Sequence, residues 1–92
     1  MDIHSSEEKA LLLKQKFGFG FERIIVALAD GKLLDDRRHV STERYPHQRQ
    51  LVVDIEGHAF IVPYVENEDG VFFKTFFPSR KATRDYLGKE KS

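Results

Sequence analysis

The residues best suited to chemistry lie in the last quarter of the chain, in Lys74-Thr75-Phe76-Phe77-Pro78-Ser79-Arg80-Lys81-Ala82-Thr83-Arg84-Asp85-Tyr86. Arg80 and Arg84 are four positions apart, so a helix would stack them on one face, one turn from each other. Like charges at that spacing cost roughly 0.2–0.5 kcal/mol on an isolated helix. A bound phosphate would relieve that cost and accept charge-assisted hydrogen bonds from both guanidinium groups. The same pair also reads as ordinary surface arginines, with Arg84 neutralised by Glu22 or another acid. Lys74 stands in a strand of Val, Phe and Thr. If Phe73 and Thr75 share one face, Lys74 shares the other with Phe72 and Phe76, a cation among rings on which bases could stack. A lysine snorkelling from a sheet edge is the competing reading.

A second group, His39, Glu43, Arg44, Tyr45, His47 and Arg49, lies on a polar connection between two apolar segments. Histidine exchanges protons near neutral pH, as ribonucleolytic cleavage requires, although loop histidines are more often plain exposed polar residues. Arg49 differs because it enters a strand, where backbone pairing would fix its position. Asp35, Asp36 and His39 could ligate a metal, but their spacing matches no diagnostic pattern. Phe17-Gly18-Phe19-Gly20-Phe21 resembles a phosphate-binding glycine loop only superficially, since it joins two helices rather than a strand to a helix. No cofactor is expected.

Charge sharpens the first group. The 92 residues carry 15 acids and 15 bases, so bulk charge would not hold the chain to a polyanion. The balance is uneven along the chain. Asp30 to Gly70 holds nine acids and five bases, whereas Val71 to Ser92 holds six bases and two acids, a net −4 middle and a net +4 end. Internal pairing plus a solvated tail would also account for this. The absence of cysteine removes disulfides and thiolate metal sites. No apolar run approaches the ~20 residues of a membrane helix, and the start lacks the order of an export signal, so a cytoplasmic protein is expected.

The elements that must position these residues follow from periodicity. At this length a single domain over residues 1–92 is expected. Ser5 to Phe17 reads as a helix, with Ser5 and Glu8 at capping-box spacing and Gly18 as its stop. Phe21, Ile24, Ile25 and Leu28 form the stripe of a second helix ending near Gly31, although Ile-Ile-Val also suits a strand. Leu51 to Ile55 alternates with period two, Glu56-Gly57 is a tight turn, and Ala59 to Glu66 returns as its partner. Asn67 to Gly70 turns into a strand over Val71 to Phe77, and Leu33 to Arg38 reads as an added edge strand. Pro78 and Ser79 open a last helix that buries Ala82, Thr83, Tyr86 and Leu87 and ends at Gly88. The expectation is an α+β domain: two N-terminal helices, a three- or four-stranded antiparallel sheet and one C-terminal helix, with the helices on one sheet face.

Three segments resemble the BrnT family of bacterial type II toxins, ribonucleases related in fold to the RelE group. The first runs from Ser6-Glu7-Glu8-Lys9 through Lys16-Phe17-Gly18-Phe19-Gly20-Phe21-Glu22, the second is Gln48-Arg49-Gln50-Leu51-Val52-Val53, and the third is Phe76-Phe77-Pro78-Ser79-Arg80-Lys81-Ala82-Thr83. The third is the most specific. Phe17 stands where the family commonly has histidine, and Thr75 where it commonly has arginine.

The resemblance implies a toxin that cleaves RNA without metal, using the ribose 2′-hydroxyl as nucleophile and leaving a 2′,3′-cyclic phosphate. It also implies a cognate antitoxin as partner. Arg49, Arg80 and Arg84 are then expected to stabilise the phosphate, with His47, Lys74 and Tyr86 as proton-transfer candidates. The other reading is a non-enzymatic module whose basic helix docks an acidic partner or nucleic acid. Eight phenylalanines in so small a domain leave room for a homodimer interface.

Overall fold

The computed structural model describes residues 3–38, 43–44 and 47–88. Helix α1 (Glu7–Phe17) starts at Ser6, whose hydroxyl accepts the Lys9 N–H at 3.2 Å, and places Glu7 and Glu8 in its first turn. Acids there complement the positive end of the helix dipole. The cap is therefore one residue later than the expected Ser5, which instead ends a short strand, β1 (Ile3–Ser5). Gly18 closes α1 at φ 87°, a left-handed conformation that glycine adopts without steric cost. Helix α2 (Phe21–Ala29) buries Phe21, Ile24 and Ala27, resolving the helix-or-strand ambiguity of that segment.

Four antiparallel strands follow the expected pattern: β2 (Leu33–Arg38), β3 (Gln48–Ile55), β4 (His58–Asn67) and β5 (Gly70–Phe73). Glu56 and Gly57, at φ 53° and 87°, make the tight turn between β3 and β4. Two additions enlarge the sheet to six strands. β1 pairs in parallel with β5, and β6 (Phe77–Pro78) pairs with β4, giving the order β1-β5-β4-β3-β2 with β6 beside β4. Helix α3 (Arg80–Leu87) is capped by the Ser79 hydroxyl, which accepts the Ala82 N–H at 3.1 Å, and ends at Gly88. No helix among the described residues is long and apolar enough to cross a membrane.

The expectation that all helices share one sheet face is corrected by the two cores. Leu13 of α1 and Phe21, Ile24 and Ala27 of α2 pack on Leu51, Val53, Ile55, Phe60 and Val62. Ala82 of α3 packs on Val52, Ala59 and Ile61, the alternate residues of the same strands, hence on the opposite face. The physical cause is legible in β4, whose residues Ala59 to Tyr64 are all buried. An unbroken buried run requires cover on both faces.

The expected continuous strand over Val71 to Phe77 is also interrupted. Tyr64 pairs with Phe73, but Ile61 pairs with Phe77, so one extra residue separates β5 from β6. That shift brings Phe73 and Phe76 into the same core rather than onto opposite faces. Pro63 sits at the interruption. Its carbonyl accepts the Lys74 N–H at 2.8 Å, so the amide hydrogen it lacks would have pointed at the same irregular stretch.

Candidate functional site

α3 crosses the β3–β4 hairpin because its first turn is tied to β4. Ser79 N–H donates to the Ala59 carbonyl at 3.0 Å, and the Ala59 N–H donates to Thr83 Oγ1 at 2.8 Å. Thr83 in turn donates to the Ser79 carbonyl at 2.7 Å. These bonds hold the exposed face of α3 beside the hairpin turn. Between them lies a recess of about 540 Å³ lined by Gly57, His58, Pro78, Ser79, Arg80, Thr83 and Arg84. Arg80, Arg84 and an imidazole thus border one concave surface. Asp85 is the acid beside Arg84, with Nε 3.7 Å from its Oδ1, and Lys81 binds the same carboxylate at 2.8 Å. Those two cations hold the Asp85 carboxyl below its ordinary range, Lys81 more strongly. Glu22, the other acid proposed for Arg84, accepts the Gly20 N–H at 3.1 Å, the main reason its own pKa is lowered.

Arg49 does not join this group, which corrects the expected three-arginine cradle. It lies at the far end of β3 from the hairpin turn, in register with Tyr64 and on the α1/α2 face. Its Nε donates to Asp36 Oδ1 at 3.1 Å and to the Tyr64 hydroxyl at 3.3 Å, and its Nη2 donates to the Asp36 carbonyl at 3.0 Å. Tyr64 donates to the same Asp36 oxygen at 2.7 Å. These partners, Tyr64 first and then Asp36, push the Arg49 pKa up, and burial pushes up that of Tyr64. The arrangement is a closed hydrogen-bonded corner.

Tyr86 lies on the α3 face but serves a different contact. Its hydroxyl donates to Asp35 Oδ2 on β2, pinning the C-terminal turn of α3 to the sheet edge. That bond raises the Tyr86 pKa and is the first cause lowering that of Asp35. A phenol whose proton is held this way is a donor rather than a base at neutral pH. Beside it, Arg37 Nε donates to the buried Gln50 Oε1 at 3.1 Å. Lys74 and His47 are both exposed, Lys74 just after β5 and His47 just before β3. Neither lines the Arg80–Arg84 recess. His39 and Tyr45 lie outside the described residues. Among the described residues no group of three or more His, Asp or Glu side chains could hold a metal ion.

Compared with models of known families, with curated proteins and with solved structures, the chain gives no match. Its two helices, mixed sheet and closing helix are consistent with a RelE/BrnT-like shape.

Sequence reasoning missed His58 as a partner of Arg80 and Arg84. The turn signal at Glu56-Gly57 located the hairpin tip, and His58 follows it directly. What local sequence does not contain is the return of α3 across that tip.

Proposed function

We propose that the chain is the toxin of a bacterial toxin–antitoxin pair and cleaves RNA at the recess bordered by His58, Arg80 and Arg84. The gathering of two guanidinium side chains and one imidazole around a single concavity carries this reading. In the reaction the ribose 2′-oxygen bonds to the adjacent phosphorus as the bond from phosphorus to the 5′-oxygen breaks. A base takes the 2′ proton and an acid returns one to the departing oxygen. Arg80 and Arg84 stabilise the charge that builds on the phosphoryl oxygens, and His58 is the proton-transfer group. The guanidinium groups supply the positive charge, so no metal is required by this scheme. An antitoxin would act by covering the recess with acidic and apolar side chains in the cytoplasm.

The test is induced expression in a bacterial host, with RNA ends mapped, together with digestion of RNA by purified protein in the presence of a chelator. Growth arrest and new ends bearing 2′,3′-cyclic phosphate are expected. Arg80→Ala is expected to reduce cleavage by ~10²–10³ while leaving the fold intact. RNA binding without new ends would instead identify a non-enzymatic binding module. Full activity in the Arg80→Ala variant would remove the site assignment.

A further inference from the structure

Neighbouring phenylalanines in β6 and the residue before it have opposite fates. Phe76 is 1% exposed and packed among Phe17, Phe19, Phe21 and Phe60, whereas Phe77 is 42% exposed. Of the chain's eight phenylalanines, Phe77 alone is exposed. The extra residue between β5 and β6 produces this contrast, because it turns Phe76 inward and leaves Phe77 on the α3 face, in register with Ile61. α3 begins three residues later but packs toward Val52 and reaches Asp35 on β2, so it leaves Phe77 partly uncovered. β6 pairs only with β4, and no strand among the described residues borders its other edge. The next residue, Pro78, is already a wall of the recess that Arg80 and Arg84 line.

We propose that Phe77 is a base-stacking platform at the entrance to the recess, and that the site therefore takes single-stranded rather than duplex RNA. This rests on the reading of the recess as a phosphodiester site. A flat apolar ring one residue from a cationic recess offers the two contacts that unpaired nucleotides use: a π-face for a base and positive charge for the phosphate beside it. Bases inside a duplex are already stacked on each other and cannot reach such a ring. The stacking contact does not discriminate strongly among bases, since every base has a π-face, so it selects strandedness more than sequence.

The experiment is fluorescence anisotropy with a labelled 2′-O-methyl oligonucleotide of about ten nucleotides, a length within the usual range for such surfaces. The methyl group blocks the attacking oxygen, so binding is read without cleavage. It is compared with the same sequence as a duplex, over a series of salt concentrations. Wild type is expected to prefer the single strand. Phe77→Ala should weaken single-strand binding about tenfold with an unchanged salt slope, and Phe77→Trp should restore it. Arg80→Ala should weaken both forms and reduce the salt slope by about 0.7–1. Single-strand binding by Phe77→Ala equal to wild type, alongside a weakened Arg80→Ala, overturns the platform and leaves the phosphodiester reading standing. Absence of binding by wild type overturns both. A Phe77-dependent change in oligomeric state with unaltered RNA binding also overturns the platform and marks the ring as a contact between copies.

Discussion

Beneath α1 and α2 the sheet presents Leu51, Val53, Ile55, Val62 and a group of mutually packed phenylalanine rings, with Phe76 contacting Phe17, Phe19, Phe21 and Phe60. Beneath α3 it presents a smaller set, Val52, Ala59 and Ile61 with half-buried Leu34, to Ala82 and the half-buried Tyr86 and Leu87, and directional bonds from Ser79, Thr83 and Tyr86 fix the helix as well. Burial of apolar area is non-directional, so the first face resists unfolding without specifying fine orientation. Hydrogen bonds contribute less each but fix angle and register. The face that carries Arg80 and Arg84 thus has the smaller apolar core and leans more on directional bonds.

The contrast can be broken from either side. Phe76→Ala should cost about 3–5 kcal/mol, because it removes a buried ring and leaves a cavity the surrounding rings fill only in part. A denaturant titration that showed a loss below that of any α3 substitution would contradict the assignment of stability to the phenylalanine face. Thr83→Val keeps the shape of the side chain but strands the buried Ala59 N–H, at an expected cost of about 1–3 kcal/mol. Equal stability of Thr83→Val and wild type would show that the tether is not what positions α3.

Tyr86→Phe sharpens the comparison through pH. The folded-state pKa of Asp35 lies below its ordinary value, first because of the Tyr86 hydroxyl. A lowered carboxyl pKa contributes stability that is present above the unfolded value and lost as pH falls through the folded one. Thermal midpoints measured from neutral pH down through the carboxylate range should therefore fall less steeply in Tyr86→Phe than in wild type. At neutral pH the loss should be smaller than that of Thr83→Val. Replacing Arg80 and Arg84 together by alanine should change stability least, by no more than about 0.5 kcal/mol in either direction. The same variant should lose RNA cleavage, which would separate the recess from the scaffold that carries it.

Much of this organisation is visible in local sequence. Ser79, Gly88 and Glu56-Gly57 mark helix and hairpin ends because caps and tight turns depend on residues only a few positions apart. The edge strand Leu33–Arg38 and the helix over Arg80–Leu87 follow from the same short-range patterns. The side of the sheet taken by α3 does not, since it is decided by what β3 and β4 bury on their second face. Helical spacing alone marks Arg80 and Arg84 as a pair. Their separation from Arg49 leaves no local mark, because strand parity sets the face of Arg49 while a loop and a helix cap set that of Arg80. The alternation that would put Phe76 opposite Phe73, beside Lys74, fails because a one-residue bulge leaves no strong mark in a run of phenylalanines.

Pro63 acts as a filter on how the sheet assembles. A misaligned closing segment that paired with β4 along its whole length would aim a peptide carbonyl at a nitrogen with no hydrogen to give. The native path already places its irregular stretch there, so it forfeits nothing that an ideal ladder would have kept. Substituting valine should erase this preference and let slipped pairings accumulate, visible as additional slow phases when the chain refolds.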